Sequence, residues 1–120
     1  MCSSDLYFSH YAFPILFENG ETDFVLDQYR KCWGWALGEG RTTWVEVFDT
    51  RWTHCHQWAG APTWQLSRYA LGLNPRFDRA VNSFDLTLHV GSLDRASGKI
   101  QAGYYSYKSR NKRYELCDNR

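Results

Sequence analysis

The first part of the chain has apolar residues at helical spacing. Residues 7–17 are apolar and aromatic, and we expect a helix there that is kinked or stopped near Pro14, because proline lacks a backbone N–H. The stretch 18–21 predicts a turn, after which Thr22 is suited to cap a second helix. The second helix carries its apolar residues at helical spacing: Val25, Tyr29, Cys32, Trp33 and Ala36. The glycines within 38–40 end it, so the two helices form a hairpin.

A third helix is predicted after an irregular segment. Residues 41–50 follow no helical or strand period. Pro62 is a good first-turn residue, and the expected buried face of the helix comprises Pro62, Leu66, Tyr69 and Leu73. Gly72 and Pro75 close this helix.

Beyond Pro75 the period changes from helical to alternating. Alternation predicts strands at residues 84–90, 100–104 and 114–116. The basic stretch 108–113 predicts a solvated hairpin turn. Helices first and strands second indicate an α+β chain of two structural units, with a boundary near residues 74–78.

Composition narrows the function classes. The 120 residues carry a formal charge of only +1, which favours neither nucleic acid nor a membrane surface as a partner. Apolar runs stay well short of the roughly 20 residues of a membrane span. Residues 1–6 resemble a translated sequencing-adapter end, so we expect the natural protein to continue upstream of them. With Cys2 set aside as part of residues 1–6, three cysteines remain, Cys32, Cys55 and Cys117. They form no CxxC pair, and we expect them to be reduced thiols.

One segment, residues 42–64, concentrates the candidate chemistry. It contains four of the six tryptophans, Trp44, Trp52, Trp58 and Trp64. Among these indoles stand two carboxylates and two imidazoles, Glu46, Asp49, His54 and His56. A sugar-cleaving site needs a proton-transfer group, hydrogen-bonding groups for hydroxyls, and flat apolar faces for the sugar ring. This combination indicates a carbohydrate substrate.

Several short motifs resemble those of the bacterial α-L-rhamnosidases, glycoside hydrolase family 78. In chain order they are the hairpin at 17–20, Thr42-Thr-Trp-Val-Glu46, Thr53-His-Cys-His56, Leu71-Gly-Leu-Asn-Pro75 and Leu93-Asp-Arg-Ala-Ser-Gly98. The resemblance implies that residues 7–75 are the C-terminal end of an (α/α)6 six-hairpin barrel. It implies that residues 76–120 are part of a C-terminal β-sandwich. Val45 departs from the family, where tryptophan is frequent, and this puts the sugar in question more than the fold.

The resemblance also implies roles for individual residues. The family inverts the anomeric centre, for which Glu46 would be the general base, with the general acid in an earlier part of the barrel. His56 would hydrogen-bond a sugar hydroxyl, and Asp49 would be a secondary site carboxylate or the partner of Arg51. The residues expected to stack on sugar rings are Trp44, Trp52 and Trp58. No cofactor or metal is implied, since hydrolysis of this kind needs two carboxyl groups and water.

Other interpretations remain open at this point. Glu46 could be a surface glutamate paired with Arg41 or Arg51. Asp49 with His54, Cys55 and His56 offers oxygen, nitrogen and sulfur ligands for a metal. The aromatic stretch 103–107 could belong to a non-catalytic carbohydrate-binding β-domain. The chain could also belong to another six-hairpin glycosidase with a different sugar specificity.

Overall fold

The chain has an α+β fold, as its hydrophobic pattern predicts. The computed structural model describes residues 6–76, 78–79 and 83–98, and the backbone of 101–102, 105–110 and 113–118. The chain divides into two compact units, Met1–Gln65 and Leu66–Arg120. The first unit is helical, and the second contains all the described strands.

The first unit begins with two helical segments. They are α1 (Ser9–Glu18) and a continuous segment made of α2 (Thr22–Gln28), a π-helical turn (Tyr29–Trp33) and α3 (Gly34–Gly38). Of the two outcomes expected at Pro14, a kink or a stop, the stop does not occur, because α1 continues through the proline to the fully buried Phe17. The predicted cap at Thr22 is also wrong. Thr22 is a buried residue of the helix itself, and Glu21 precedes it without a side-chain cap.

Both segments end in the same way, with glycine in the left-handed region. Gly20 and Gly40 have φ of 86° and 71°. The N–H groups of Glu21 and Arg41 return to Leu16 O and Ala36 O, at 2.9 and 3.2 Å. This is the Schellman arrangement, in which a residue without Cβ adopts the reversal and the last carbonyls keep partners. The predicted turn at 18–21 and the predicted helix end at 38–40 are confirmed.

The last helical segment begins earlier than Pro62. A 3-10 turn (Gln57–Gly60) leads into α4 (Ala61–Gln65), and a π-helical turn (Leu66–Ala70) follows in the second unit. Gln65 is buried whereas Leu66 is exposed, so the predicted buried position at Leu66 is wrong. The wider π turn changes the rotation per residue and therefore the face that each side chain occupies.

The core of the first unit is aromatic. Tyr29 packs edge-on against Phe13 and Trp33, with ring centroids 5.4 Å apart in each pair. At its centre, Gln65 accepts a hydrogen bond from the Tyr29 hydroxyl and donates one to Ser9 O at 3.0 Å. A buried amide satisfied on both sides stabilises this unit, whereas an unpaired one would destabilise it.

The second unit contains two antiparallel sheets. In the first, β1 (Leu73–Pro75) pairs with β2 (Phe84–Leu86), so Leu73 belongs to a strand and not to a helix face. The second sheet has the order β3 (Gln101–Ala102), β4 (Tyr105–Arg110), β5 (Arg113–Asp118).

One strand prediction and one turn prediction need correction. The first predicted strand is shorter than expected, and its Leu86 and Leu88 are exposed. The predicted turn at 108–113 is narrower, because Arg110 pairs with Arg113 across β4 and β5. The predicted strand positions Ile100 and Tyr104 lie outside the described residues.

The prediction of reduced cysteines holds for one described thiol and fails for another. Cys55 is free and exposed. Cys32 is disulfide-bonded. The side chain of Cys117 lies outside the described residues.

Candidate functional site

The candidate site is built on an irregular loop whose two arms are hydrogen-bonded to each other. The Glu46 N–H donates to Thr53 O at 2.9 Å, and the His56 N–H donates to Trp44 O at 3.0 Å. The Thr43 hydroxyl adds a bond to His54 O. These antiparallel contacts hold residues 44–46 beside residues 53–56 although neither arm forms a regular strand.

Buried side chains fix this loop within the helical unit. Val45 is fully buried, so in extended backbone its neighbours Trp44 and Glu46 point the other way. The Phe48 ring lies edge-on to Trp33, with centroids 5.1 Å apart. The Trp33 indole N–H donates to Ala59 O at 2.6 Å. The loop is therefore anchored both between its arms and after them.

At the joined arms, Glu46, Thr53 and His56 form a hydrogen-bonded cluster. The Thr53 hydroxyl donates to Glu46 Oε2 at 2.9 Å and also contacts His56 Nε2. A hydroxyl has one hydrogen, so once Thr53 donates to Glu46 it must accept from a protonated His56 Nε2. His56 Nε2 itself lies 3.6 Å from Glu46 Oε2. The cluster is thus a short chain of polarised bonds that ends on a half-buried carboxylate.

Of the predicted stacking residues, Trp58 has its ring against the His56 ring of this cluster. Its ring centroid lies 4.2 Å from that of His56, at an interplanar angle of 55°, and it is 40% exposed. Trp44 is half-buried and covers Gly60, where an added Cβ would lie 3.6 Å from the indole. Trp52 lies on the exposed part of the loop. The geometry therefore favours Trp58 as an aromatic face beside the carboxylate.

The Asp49 carboxylate is hydrogen-bonded to Arg51. Arg51 Nε donates to both of its carboxylate oxygens, at 3.0 and 2.9 Å. These bonds lower the pKa of the Asp49 carboxyl from 3.8 to about 2. A carboxyl with so low a pKa is ionised at neutral pH and is a poor proton donor. Asp49 is the partner of Arg51, and the interpretation that pairs Glu46 with Arg51 loses its support.

Both ring nitrogens of His54 have partners outside the set of metal ligands that the sequence suggested. Its Nδ1 lies 3.1 Å from Arg41 Nη1, and its Nε2 lies 3.1 Å from Thr50 O. Arginine only donates, so Nδ1 accepts and Nε2–H donates to the carbonyl. In the part of the chain that the structure describes, three or more His, Cys, Asp or Glu side chains never gather as a possible metal site.

Thr53 is the residue whose role the sequence did not reveal. It belongs to the motif Thr53-His-Cys-His56, but a threonine in a polar loop can have many structural roles. A hydroxyl three residues before a histidine was the available signal. Only the pairing of the two arms brings that hydroxyl to Glu46.

Comparisons of the chain with protein families, characterised proteins and solved structures gave no match. Over the described residues, the helices are too short or too polar for any of them to cross a membrane.

Proposed function

We propose that the chain is the C-terminal part of an inverting glycoside hydrolase, most similar to an α-L-rhamnosidase, with Glu46 as the general base. In this proposal the helical unit is the end of a six-hairpin (α/α)6 barrel, and the strand unit belongs to a C-terminal β-sandwich. The substrate is a terminal α-L-rhamnoside in a glycan or glycoside. The observation that carries the proposal is the Glu46–Thr53–His56 cluster beside the exposed ring of Trp58.

The chemistry of inversion assigns a distinct task to this carboxylate. An inverting enzyme protonates the leaving oxygen with one carboxyl group and activates water with another, roughly 6.5–9.5 Å away. The Thr53 hydroxyl occupies Glu46 Oε2, which leaves Oε1 to accept a proton from water. By the family resemblance, the general acid comes from an earlier part of the barrel.

The surroundings of Glu46 suit a sugar. His56 supplies a ring nitrogen and Trp58 an aromatic face within the same cluster. Sugar rings combine hydroxyl groups with apolar C–H faces, and mixed polar and aromatic sites bind both. The departure at Val45 leaves another six-hairpin glycosidase, with a different sugar, as the second candidate.

The test is the hydrolysis of an aryl α-L-rhamnoside by the complete barrel protein that the proposal implies. Replacing Glu46 with glutamine keeps its shape and removes the base, so we expect kcat to fall by roughly 10²–10⁴-fold. The matched control is Glu39→Gln, because Glu39 is an exposed glutamate at the end of α3. The control should retain the wild-type rate.

The outcomes separate the class from the residue. Proton NMR of the first product should show the inverted β-anomer. Wild-type hydrolysis that Glu46→Gln leaves unchanged would remove Glu46 from the mechanism while keeping the enzyme class. Cleavage of a different aryl glycoside, and not of the rhamnoside, would favour the second candidate.

A further inference from the structure

A row of aromatic rings extends from the Glu46 cluster onto the exposed side of α1. The row consists of His56, Trp58, Tyr7 and Tyr11. Successive ring centroids lie 4.2, 6.4 and 5.6 Å apart. Tyr7 and Tyr11 are about as exposed as each other, at 54% and 55%. The four rings therefore follow one another in tilted and edge-on contact, starting at His56 beside the proposed base.

Contacts of His10 hold the row in place. His10 Nε2 contacts Trp58 O, and Trp64 Nε1–H donates to His10 Nδ1 at 3.2 Å. Because Nδ1 accepts, Nε2 carries the hydrogen and donates to the carbonyl. The His10 and Trp64 rings are stacked, 15° from parallel. These bonds tie α1 to the segment that carries Trp58, so little conformational freedom is lost when a ligand binds.

The chemistry of the row suits a carbohydrate chain. Tyr7 and Tyr11 carry hydroxyls that hydrogen-bond to each other at 2.9 Å and stay exposed. Each ring thus presents an apolar face next to a polar atom, as sugar rings do in their own C–H and O–H groups. Aromatic side chains with a polar end suit partly wet interfaces. A dry protein interface would have to bury these hydroxyls.

We propose that the aromatic row binds an oligosaccharide that carries the cleaved sugar, with Tyr7 and Tyr11 contacting residues beyond the one held at Glu46. This inference rests on the proposed function for the place of the cleaved sugar. It deepens that function by naming an oligosaccharide, and not a simple glycoside, as the substrate class.

Binding can be measured without hydrolysis. Calorimetric titration of the Glu46→Gln protein with a rhamnose-terminated trisaccharide gives Kd, and the same titration follows after adding Tyr11→Ala. An aromatic contact contributes enough for us to expect roughly tenfold weaker binding. Tyr11→Phe keeps the ring, so it should weaken binding less and guards against a folding defect. Phe24→Ala, at an exposed aromatic residue on α2, is the matched control and should leave Kd unchanged.

The results distinguish this inference from the proposed function. Equal Kd for the parent and Tyr11→Ala would overturn the row as a binding site, whatever the hydrolysis assay gives. Row-dependent binding by a protein that hydrolyses no glycoside would support the row and reject the enzyme proposal. Loss of self-association on Tyr11→Ala, seen by sedimentation, together with unchanged Kd, would identify the row as an interface between copies and overturn the inference.

Discussion

At the scale of single residues, the hydrogen bond from the Thr53 hydroxyl restrains the orientation of the Glu46 carboxylate. It has one hydrogen and two polar neighbours, so its donation to Glu46 orders the whole cluster. A carboxylate that accepts a hydrogen bond on one oxygen is restrained in rotation, and its other oxygen keeps a constant direction. In the proposed mechanism that restraint aligns the base with its water.

Removing this hydroxyl provides a residue-scale prediction. Thr53→Val has nearly the same shape but no donor, so we expect kcat on the aryl glycoside to fall roughly tenfold or more, since hydrogen bonds to charged groups contribute about 1.5–3 kcal/mol. Thr53→Ser restores the donor and should recover most of the rate. KM should change little in both, because in the proposed mechanism the hydroxyl orients the base and makes no contact with the sugar. Equal rates for the valine and serine variants would mean that the donor has no positioning role.

The sequence reveals the carboxylate and the imidazole of the site better than its hydroxyl-bearing residues. Glu46 and His56 stand out because a carboxylate and an imidazole are conspicuous among indoles. Tyr7 and Tyr11 were part of an apolar helix pattern, and only the folded chain brings Tyr7 to Trp58. Asp49 was expected to be either a secondary site carboxylate or the partner of Arg51, and the structure shows Arg51 hydrogen-bonded to both of its oxygens.

At the scale of elements, Gly72 connects the last helical turn to the first sheet. Its φ is 76°, and its carbonyl accepts the Thr87 N–H at 2.9 Å. An added Cβ would lie only 2.5 Å from Thr87 O. Two independent constraints therefore require glycine: the left-handed backbone and the close approach of another segment's backbone.

We expect Gly72→Ala to destabilise the second unit by about 2–4 kcal/mol, since it combines a disfavoured backbone conformation with a clash against backbone that cannot rotate away. The matched control is Gly38→Ala. Gly38 lies in α3 with nothing within 4 Å of an added Cβ, so this change should be neutral or slightly stabilising. Urea unfolding followed by circular dichroism measures both. A Gly72→Ala midpoint equal to the wild-type one would show that the strand relaxes at little cost.

The pattern predicted that a helix ends at Gly72 but not what approaches it. Helical period and glycine position are local signals, whereas the pairing of β1 with β2 depends on contacts across the unit. The π turns illustrate the same limit. Gln65, at the end of α4, is buried and hydrogen-bonded to Tyr29 and Ser9, whereas Leu66, where the π turn begins, is exposed.

At the scale of the whole molecule, the change of period near Pro75 correctly predicted helices followed by strands. Alternation and helical spacing are set by secondary structure alone, so this order is visible before any contact is known. The position of the boundary between the two compact units, in contrast, is not visible in the sequence pattern. The boundary between the two compact units falls between Gln65 and Leu66 in the sequence, inside one run of helical residues. No glycine, proline or charge cluster marks that point in the sequence.

This division predicts how local instability spreads. If each compact unit unfolds as its own cooperative group, Gly72→Ala should lower amide hydrogen-exchange protection across residues 66–98 and spare the helices of the first unit. Phe17→Leu, at a fully buried position of the first unit, should do the reverse, with a cost on the order of 1 kcal/mol. Native-state exchange followed by NMR resolves the two patterns. Equal loss of protection in both units from either substitution would mean that the chain unfolds as one cooperative group.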